Sequence, residues 1–244
     1  MVDNLKAVLF DLGSTLLEYE KFDWIEIARR GTIAGTKFLR DRGIEAPEAR
    51  QADETFHRIF TQWKTERDPD FGEINFQELI TAGFKEMGLP DDEDFIIDFI
   101  KAYYQPVTET VEHLDGSAPT LKLLKEKGLR LVIVSNSIFP AYLHLGELEK
   151  FQLLPYLDGM IFSCELGIKK PHPDIYVHAL QIADCTPEEA VFVGDRYLED
   201  LEGPSSVGIK AVLRLKPGRD YPPEIENYPV IDSVAKLPEL LGLV

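Results

Sequence analysis

Four short polar segments of the sequence carry side chains that can bind a metal ion or a phosphate group. They are Asp11-Leu12-Gly13-Ser14-Thr15, Ser135-Asn136-Ser137, Lys169-Lys170-Pro171 and Gly194-Asp195 with Asp200 a short distance beyond. Carboxylates that are held close together repel each other unless one is protonated or a cation lies between them. Because oxygen ligands of this kind suit Mg²⁺, we consider Asp11, Asp195 and Asp200 as candidate ligands of one magnesium ion.

The polar segments lie at or just beyond the ends of short apolar runs that predict β-strands. The predicted strands cover residues 5–10, 129–134, 159–163, 190–194, 210–213 and 230–233. Helical patterns alternate with them at 118–127, 139–150, 173–184 and around 198–206. Continuous apolar strands that alternate with helices are typical of a parallel sheet covered on both faces. The sequence therefore predicts an α/β fold with a doubly wound, Rossmann-like parallel sheet, in which ligands bind beyond the carboxyl ends of the strands.

A block of helices interrupts this pattern after the first strand. From about Phe22 to Tyr104 the apolar residues repeat with a helical period, and Gly43 and Gly88 are placed to end two of the helices. We therefore predict that residues 1–16 and 106–244 form the α/β core and that residues 17–105 form an inserted helical cap. Trp24 and Trp63 are expected in the core of this cap.

Composition excludes several classes of protein. The chain of 244 residues has 26 Lys and Arg against 43 Asp and Glu, a formal charge of −17. This charge disfavours nucleic acid or an anionic membrane as the main partner. Two cysteines are too few for a disulfide framework, and no apolar run approaches the roughly 18 residues of a membrane helix. The N-terminus has no signal-peptide pattern, so a cytoplasmic protein is expected.

Each polar segment also has an ordinary structural interpretation; Asp11 and Asp195, which follow buried strands, are also typical of helix N-caps. Ser135 and Asn136 suit a phosphate oxygen, but they are equally typical of a local turn. Lys170, extended by the following proline, can neutralise phosphoryl charge, although a single lysine is more often on the surface. Asp200 can bind the ion directly, hold one of its waters, or be a solvated acid in the first turn of a helix. The functional interpretation is favoured because the four segments occur together in one chain.

Together and in this order, the segments resemble the motifs of the haloacid dehalogenase-like (HAD) hydrolases, in the branch with a helical cap after the first motif. The resemblance covers essentially the whole chain. Residues 11–15 are similar to the first motif, Ser135 to the second, Lys170 with Pro171 to the third, and Gly194-Asp195 with Asp200 to the fourth.

The resemblance implies a phosphatase that forms an aspartyl phosphate and uses Mg²⁺ as its cofactor. Asp11 would be the nucleophile, and the transferring phosphoryl group would bind Ser135 and Lys170. The implied metal ligands are Asp11, the Gly13 carbonyl, Asp195 and Asp200, and Thr15 and Asn136 are expected beside the substrate. The expected partner is a small phosphorylated metabolite; neither its identity nor the oligomeric state can be read from the sequence.

Gly13 departs from the family pattern. Most phosphatases of the family have a second aspartate at this position, which protonates the leaving group and then activates water. Glycine keeps the carbonyl but has no proton to give, and general acid–base help is worth about 10²–10⁴-fold. The protein would then favour good leaving groups or borrow an acid from the cap side. Glu18 and Glu20 are candidates by position, although solvated linker charges are the more ordinary interpretation.

Two alternatives stay open. One is a variant chemistry of the family, the hydrolysis of a C–halogen or a C–P bond. The first needs no metal, which leaves Asp195 unexplained, and the second needs a cap lysine that the sequence does not single out. The other alternative is a catalytically weak phosphate-binding or regulatory protein.

Arg196 directly follows the predicted metal ligand Asp195, so it can contact phosphate or substrate; the more ordinary expectation is an outward-facing arginine that pairs with Glu199 or Asp200. The histidines show no metal-ligand spacing, and His172 is the only one expected near the site, with its side chain pointing away.

Overall fold

The computed structural model describes residues 4–21 and 23–244, so Phe22, at the predicted start of the helical block, lies outside the described residues. Within the described residues the strands are β1 (Ala7–Phe10), β2 (Leu17–Glu18), β3 (Glu112–His113), β4 (Arg130–Ser135), β5 (Gly159–Phe162), β6 (Ala190–Gly194), β7 (Lys210–Arg214) and β8 (Val230–Ile231).

Before β3 the α-helices follow one another along the chain, and after β3 they alternate with the strands. They are α1 (Trp24–Asp41), α2 (Ala49–Arg67), α3 (Phe76–Met87), α4 (Glu93–Thr110), α5 (Ser117–Glu126), α6 (Ala141–Lys150), α7 (Ser163–Leu166), α8 (Pro173–Ala183), α9 (Gly203–Ser206) and α10 (Leu237–Leu240). A π-helical turn, Tyr197–Glu202, precedes α9. Across residues 4–21 and 23–244, no helix has the length and apolar character needed to cross a membrane.

Six strands form one parallel sheet in the order β5-β4-β1-β6-β7-β8. The central strand β1 pairs with β4 on one side and β6 on the other, and all four of its residues are fully buried. One face of the sheet packs on apolar residues of α5, α6 and α10, and the other face packs on α8. The prediction of a doubly wound α/β fold is confirmed.

The strand order brings the predicted site residues to one edge of the sheet. In the pairing of β1 with β6, Phe10 lies opposite Val193, and the backbone N–H of Asp11 donates to the Val193 carbonyl. Asp11 and Asp195 therefore leave adjacent strands at almost the same level. Ser135 ends β4, which flanks β1 on its other side.

Helices α1 to α4 form the helical block, which packs around its own cluster of buried aromatic and aliphatic side chains. Helix α4 continues through Pro106 to Thr110, so the predicted boundary between residues 105 and 106 falls inside a helix. The division into core and cap stays a prediction. Strands β2 and β3 pair antiparallel where the chain leaves and re-enters the sheet region. The sequence did not predict this pair, because two residues per strand show no periodicity.

Candidate active site

A cavity of about 340 Å³ opens at the carboxyl edge of the sheet. The predicted site residues among its lining residues are Asp11, Gly13, Ser135, Asn136 and Lys170. Asp195 and Asp200 lie close behind this wall, since ligand oxygens of Asp11, Asp195 and Asp200 are within 4.8 Å of one another. The tertiary structure thus brings together side chains that are up to 189 positions apart in the sequence, from Asp11 to Asp200.

Lys170 is a buried cation between two carboxylates, and not a surface lysine. Its side chain is 2% exposed, and its Nζ lies 2.7 Å from Asp11 Oδ1 and 2.7 Å from Asp200 Oδ1. Burial by itself lowers the pKa of Lys170, but the charges of Asp11 and Asp200 outweigh burial and raise this pKa above its ordinary value. Lys170 therefore stays protonated and can neutralise added negative charge.

The site nevertheless contains more negative than positive charge. Burial and the charge of Asp200 raise the pKa of Asp11 to about 6, although Lys170 opposes the shift. Burial and the two neighbouring carboxylates raise the pKa of Asp195 to about 8. Asp195 Oδ1 is buried and has no hydrogen-bond partner among the residues that the structure describes. A buried carboxylate oxygen without a partner is costly, so the donor set fits a cation at this position.

Asp200 holds other parts of the site in place. Its Oδ1 accepts from Lys170, and its Oδ2 accepts the backbone N–H groups of Asp195 and Arg196 at 3.0 and 2.9 Å. Because both of its oxygens have partners, the geometry favours the indirect role among those that the sequence left open. A Cβ atom on Gly194 would lie 2.3 Å from Asp200 Cγ, so only glycine allows this close approach.

Thr15 and Asn136 contact the predicted catalytic residues. Thr15 is buried and donates from Oγ1 to Asp11 Oδ2 at 3.2 Å, and it is not among the described residues that line the cavity. The Asn136 amide donates to the Lys170 carbonyl at 2.9 Å and accepts the Lys170 N–H at 2.7 Å. It clamps the segment that carries Lys170, and its contact with a substrate stays a prediction.

The expectation that Glu18 and Glu20 are solvated linker charges is wrong. Glu18 is 8% exposed and accepts from Ser14 Oγ at 3.2 Å and from Lys216 Nζ at 3.3 Å. Glu20 lies on the cavity wall and pairs with Lys216 and with two arginines. Although partial burial opposes the shift, the hydrogen bonds with Lys216 and Arg219 lower the pKa of Glu20 to about 2, so it is an anion rather than an acid.

The segment 217–229, which the sequence predicts as a surface loop, reaches the site. An Arg219 guanidinium nitrogen contacts Asp195 Oδ2, and the Tyr221 hydroxyl donates to the Asp195 carbonyl at 3.0 Å. Arg196 does not pair with Glu199 or Asp200 as expected; its guanidinium lies 2.6 Å from Glu20. No local sequence signal marks these residues, because their partners are 24 to 199 positions away.

The cavity wall on the side of the helical block contains residues that the sequence analysis missed or placed elsewhere. Trp24 was expected in a helical core, but it is 45% exposed and lines the cavity. His144, not His172, is the histidine on the cavity wall; His172 accepts the backbone N–H of Asp174 at the start of α8. Tyr19 and Tyr104 stand beside His144.

Comparison with known proteins agrees with this geometry. A family model described as haloacid dehalogenase-like hydrolase matches residues 5–208. The chain is 26% identical over 243 residues to a glyceraldehyde 3-phosphate phosphatase of Methanothermobacter thermautotrophicus, covering 97% of this chain and 100% of that one.

Two solved structures show the same fold. The crystal structure of a HAD phosphatase from Thermococcus onnurineus is 29% identical, with a TM-score of 0.64 and 98% of each chain covered. That of a 2-haloacid dehalogenase from Pseudomonas syringae has a TM-score of 0.72 at 21% identity, with 98% of this chain and 99% of that chain covered. The second likeness concerns the fold alone. The match of the family model over most of the chain, together with the site at the sheet edge, shows that the chain belongs to the haloacid dehalogenase-like hydrolases and is an enzyme of that family.

Proposed function

We propose that this hydrolase is a Mg²⁺-dependent phosphatase that acts on a small phosphorylated metabolite through an aspartyl phosphate on Asp11. The observation that carries the proposal is the bridge from Lys170 to Asp11 and Asp200, beside the partnerless oxygen of Asp195. A nucleophilic carboxylate, a buried ammonium and a cation-binding oxygen in one cavity are suited to phosphoryl transfer, which depends on positioning and charge. The relatives named as phosphatases support the reaction class.

Each residue has a definite task in this reaction. An oxygen of Asp11 attacks phosphorus, while Thr15, by its hydrogen bond to Oδ2, orients the carboxylate. Lys170 and Ser135 hold the oxygens of the transferring group, and Asp200 keeps Lys170 in position. Water then cleaves the aspartyl phosphate and releases inorganic phosphate.

The residues that would hold Mg²⁺ are Asp11 and Asp195, with the Gly13 carbonyl, and with Asp200 behind them. When bound, the ion supplies positive charge that stabilises the charge developing on the phosphoryl oxygens. Its binding would also give Asp195 Oδ1 the partner that it lacks.

The alternative chemistries are less well supported. Within the part of the chain that the structure describes, the cavity is lined by no lysine of the helical block, as the phosphonate reaction would require. A dehalogenase needs no metal, which would leave the buried Asp195 without a task. A pure binding protein has no need of a nucleophile at Asp11.

The proposal is tested by the hydrolysis of aryl, acyl, sugar and alkyl phosphates with and without Mg²⁺, for the wild-type protein and Asp11→Asn. We expect metal-dependent turnover in the wild type and none in the variant, because an amide cannot attack phosphorus to form the acyl phosphate. Binding of inorganic phosphate, measured by calorimetry, is expected to survive in Asp11→Asn.

The matched control is Asp94→Asn, which alters an exposed aspartate in the first turn of α4. It is expected to retain wild-type turnover. If Asp11→Asn also retains turnover, Asp11 is not the nucleophile. If the folded wild-type protein binds Mg²⁺ and phosphate but hydrolyses no phosphate ester, a binding or regulatory role replaces the phosphatase.

A further inference from the structure

A serine, a histidine and a glutamate form a hydrogen-bonded row beside the cavity. Ser137 Oγ lies 3.0 Å from His144 Nε2, and His144 Nδ1 lies 3.4 Å from Glu147 Oε2. The order of atoms, hydroxyl to Nε2 and carboxylate to Nδ1, is the one by which a serine exchanges a proton with a supported imidazole. None of these three residues has a task in the phosphoryl transfer described above.

The row joins the cavity to a buried carboxylate. Ser137 and His144 line the cavity together with Asp11 and Gly13. His144 is 4% exposed and stacks on Phe162, with 4.3 Å between the ring centroids. Glu147 is fully buried, and within residues 4–21 and 23–244 its Oε1 has no hydrogen-bond partner. An ionisable pair is not buried in this way for stability alone, since the uncompensated oxygen is costly.

Further contacts fix the geometry of the row. The Tyr19 hydroxyl donates to Glu147 Oε2 at 2.6 Å, and the Tyr104 hydroxyl lies 3.3 Å from His144 Nδ1. The backbone N–H of Phe139 donates to Ser137 Oγ at 3.1 Å, which holds this oxygen at the cavity wall. The Ser137 hydroxyl donates to the Phe139 carbonyl at 3.2 Å, and rotation about its C–O bond can turn the proton toward His144 or the cavity.

The same cavity lacks an acid at the position where the family usually has one. Gly13 offers no proton, and a Cβ atom there would lie 3.6 Å from the ring of Tyr19, at ordinary contact distance. Tyr19 thus connects position 13, which has no acidic side chain, with the hydrogen-bonded row, because its ring lies beside Gly13 and its hydroxyl donates to Glu147.

We infer that Ser137, His144 and Glu147 form a proton relay that performs the general acid–base work which Gly13 cannot do. The inference rests on the proposed phosphatase function. As the bond from phosphorus to the leaving oxygen breaks, Ser137 gives its hydroxyl proton to that oxygen and receives the proton of His144 Nε2. His144 passes from imidazolium to imidazole, and Glu147 stabilises the imidazolium form. In the second step a water proton returns through Ser137 to His144, while the water oxygen joins phosphorus and the bond from phosphorus to Asp11 breaks.

The relay is tested with two substrates that differ in their need for an acid. In Ser137→Ala and His144→Gln, turnover of glycerol 3-phosphate is expected to fall by about 10²–10⁴-fold, the usual worth of general acid–base catalysis. With 4-nitrophenyl phosphate, phosphorylation of Asp11 needs no acid and is expected to persist. A stoichiometric burst of nitrophenol followed by slow turnover is then expected, because the second step has lost its base.

Gly13→Asp distinguishes a proton relay from a purely structural role of His144, because a new acid at position 13 can replace a lost proton donor but cannot repair a disturbed structure. When Gly13→Asp is added to His144→Gln, turnover of glycerol 3-phosphate is expected to recover, because an acid stands again at position 13. The matched control is His178→Gln, which alters an exposed histidine on α8 and is expected to keep wild-type turnover.

The possible outcomes distinguish a failure of the relay from a failure of the phosphatase proposal. Equal losses on both substrates, without a burst and without recovery in the double variant, overturn the relay and leave the phosphatase in place. Unchanged turnover in Ser137→Ala and His144→Gln also overturns the relay and leaves the phosphatase proposal in place. If the wild-type protein hydrolyses neither substrate, the phosphatase proposal fails and the relay fails with it.

Discussion

At the scale of single residues, Asp195 has the least favourable electrostatic surroundings of the carboxylates in the site. It is fully buried, is repelled by Asp11 and Asp200, and has one oxygen without a partner. Arg219 contacts its other oxygen from the segment 217–229. The metal-free protein reduces this repulsion by holding a proton, and a bound cation would reduce it without one.

This arrangement predicts how stability depends on pH and on metal. The pKa of Asp195 is raised from 3.8 to about 8 in the folded metal-free protein. Between these values the folded state binds a proton that the unfolded chain has released, so this contribution to stability is complete below 3.8 and is lost as the pH rises through about 8. We expect the unfolding temperature in EDTA to fall over this interval, and Mg²⁺ to restore it at the alkaline end.

The variant Asp195→Asn is expected to lose both effects, because an amide neither titrates nor attracts the cation. Asp94→Asn, on an exposed helix end, serves as the control and should follow the wild type. Thermal unfolding across the interval, with EDTA and with Mg²⁺, provides the measurement. A variant at position 195 that keeps the full pH slope and the full response to Mg²⁺ would contradict this account.

At the scale of elements, the end of β6 is the junction on which the site depends. Gly194 ends the strand, and the π-helical turn Tyr197–Glu202 then brings Asp200 back against it. Asp200 binds the backbone N–H groups of residues 195 and 196 and also reaches Lys170. One side chain therefore connects β6 with the segment that follows α7.

The close packing of Gly194 on Asp200 predicts the effect of Gly194→Ala. The new methyl group would overlap Asp200, which lies at 2.3 Å, so Asp200 must shift and release Lys170. Overpacking of this kind costs about 1–3 kcal/mol. We expect a loss of that size in the free energy of unfolding in urea, together with a loss of phosphatase turnover.

Gly146→Ala is the matched control for this substitution. Gly146 lies within α6, and a Cβ atom there would meet nothing within 4 Å. Alanine is favoured over glycine in a helix interior by about 0.5–1 kcal/mol, so this variant is expected to gain stability. If both variants behave alike, the close approach at Gly194 is not the cause.

At the scale of the whole molecule, the helical block also contacts the sheet region away from its two chain connections, and one of these contacts lies beside the segment that carries Lys170. Residues 71–73, between α2 and α3, pair with the segment that leads to Lys170. The backbone N–H of Glu73 donates to the Gly167 carbonyl, and that of Lys169 donates to the Phe71 carbonyl, both at 2.9 Å. Ser163 Oγ donates to Glu73 Oε2 at 2.7 Å and accepts the N–H of Ser137 at 2.8 Å.

This contact predicts that Glu73→Ala loosens the site from a distance. A hydrogen bond to a charged group contributes about 1.5–3 kcal/mol, and its loss frees both Ser163 and the turn that carries Ser137. We expect faster amide hydrogen exchange in residues 163–170 and a higher KM for phosphate esters. Glu78→Ala, which removes an exposed ion pair with Arg67 at 3.7 Å, should change neither quantity. Equal exchange rates in the two variants would show that Glu73 does not hold this contact.

The sequence alone was sufficient for the fold and for the central residues of the candidate site. Buried parallel strands are short apolar runs, and their carboxyl ends are marked by the polar residues that follow, so Asp11, Ser135 and Asp195 could be predicted at one edge of the sheet. Lys170 was also predicted there, from the motif that contains it. The location of these residues could be predicted because each prediction rests on a local pattern that the chain repeats from strand to strand, whereas their roles stay a proposal.

The surroundings of these residues were decided by the tertiary structure. Arg219 meets Asp195, Glu20 pairs with three cations, and Ser137, His144 and Glu147 form a row along the cavity wall. Glu18 looks like a solvated linker residue in the sequence but is buried beside Lys216. Such contacts depend on how helices and loops pack on the sheet, and therefore on side-chain directions that the period of a sequence does not record. For this reason the proposed nucleophile, Asp11, can be located from the sequence, whereas the Ser137, His144 and Glu147 row that we propose as the source of the proton is visible only in the folded chain.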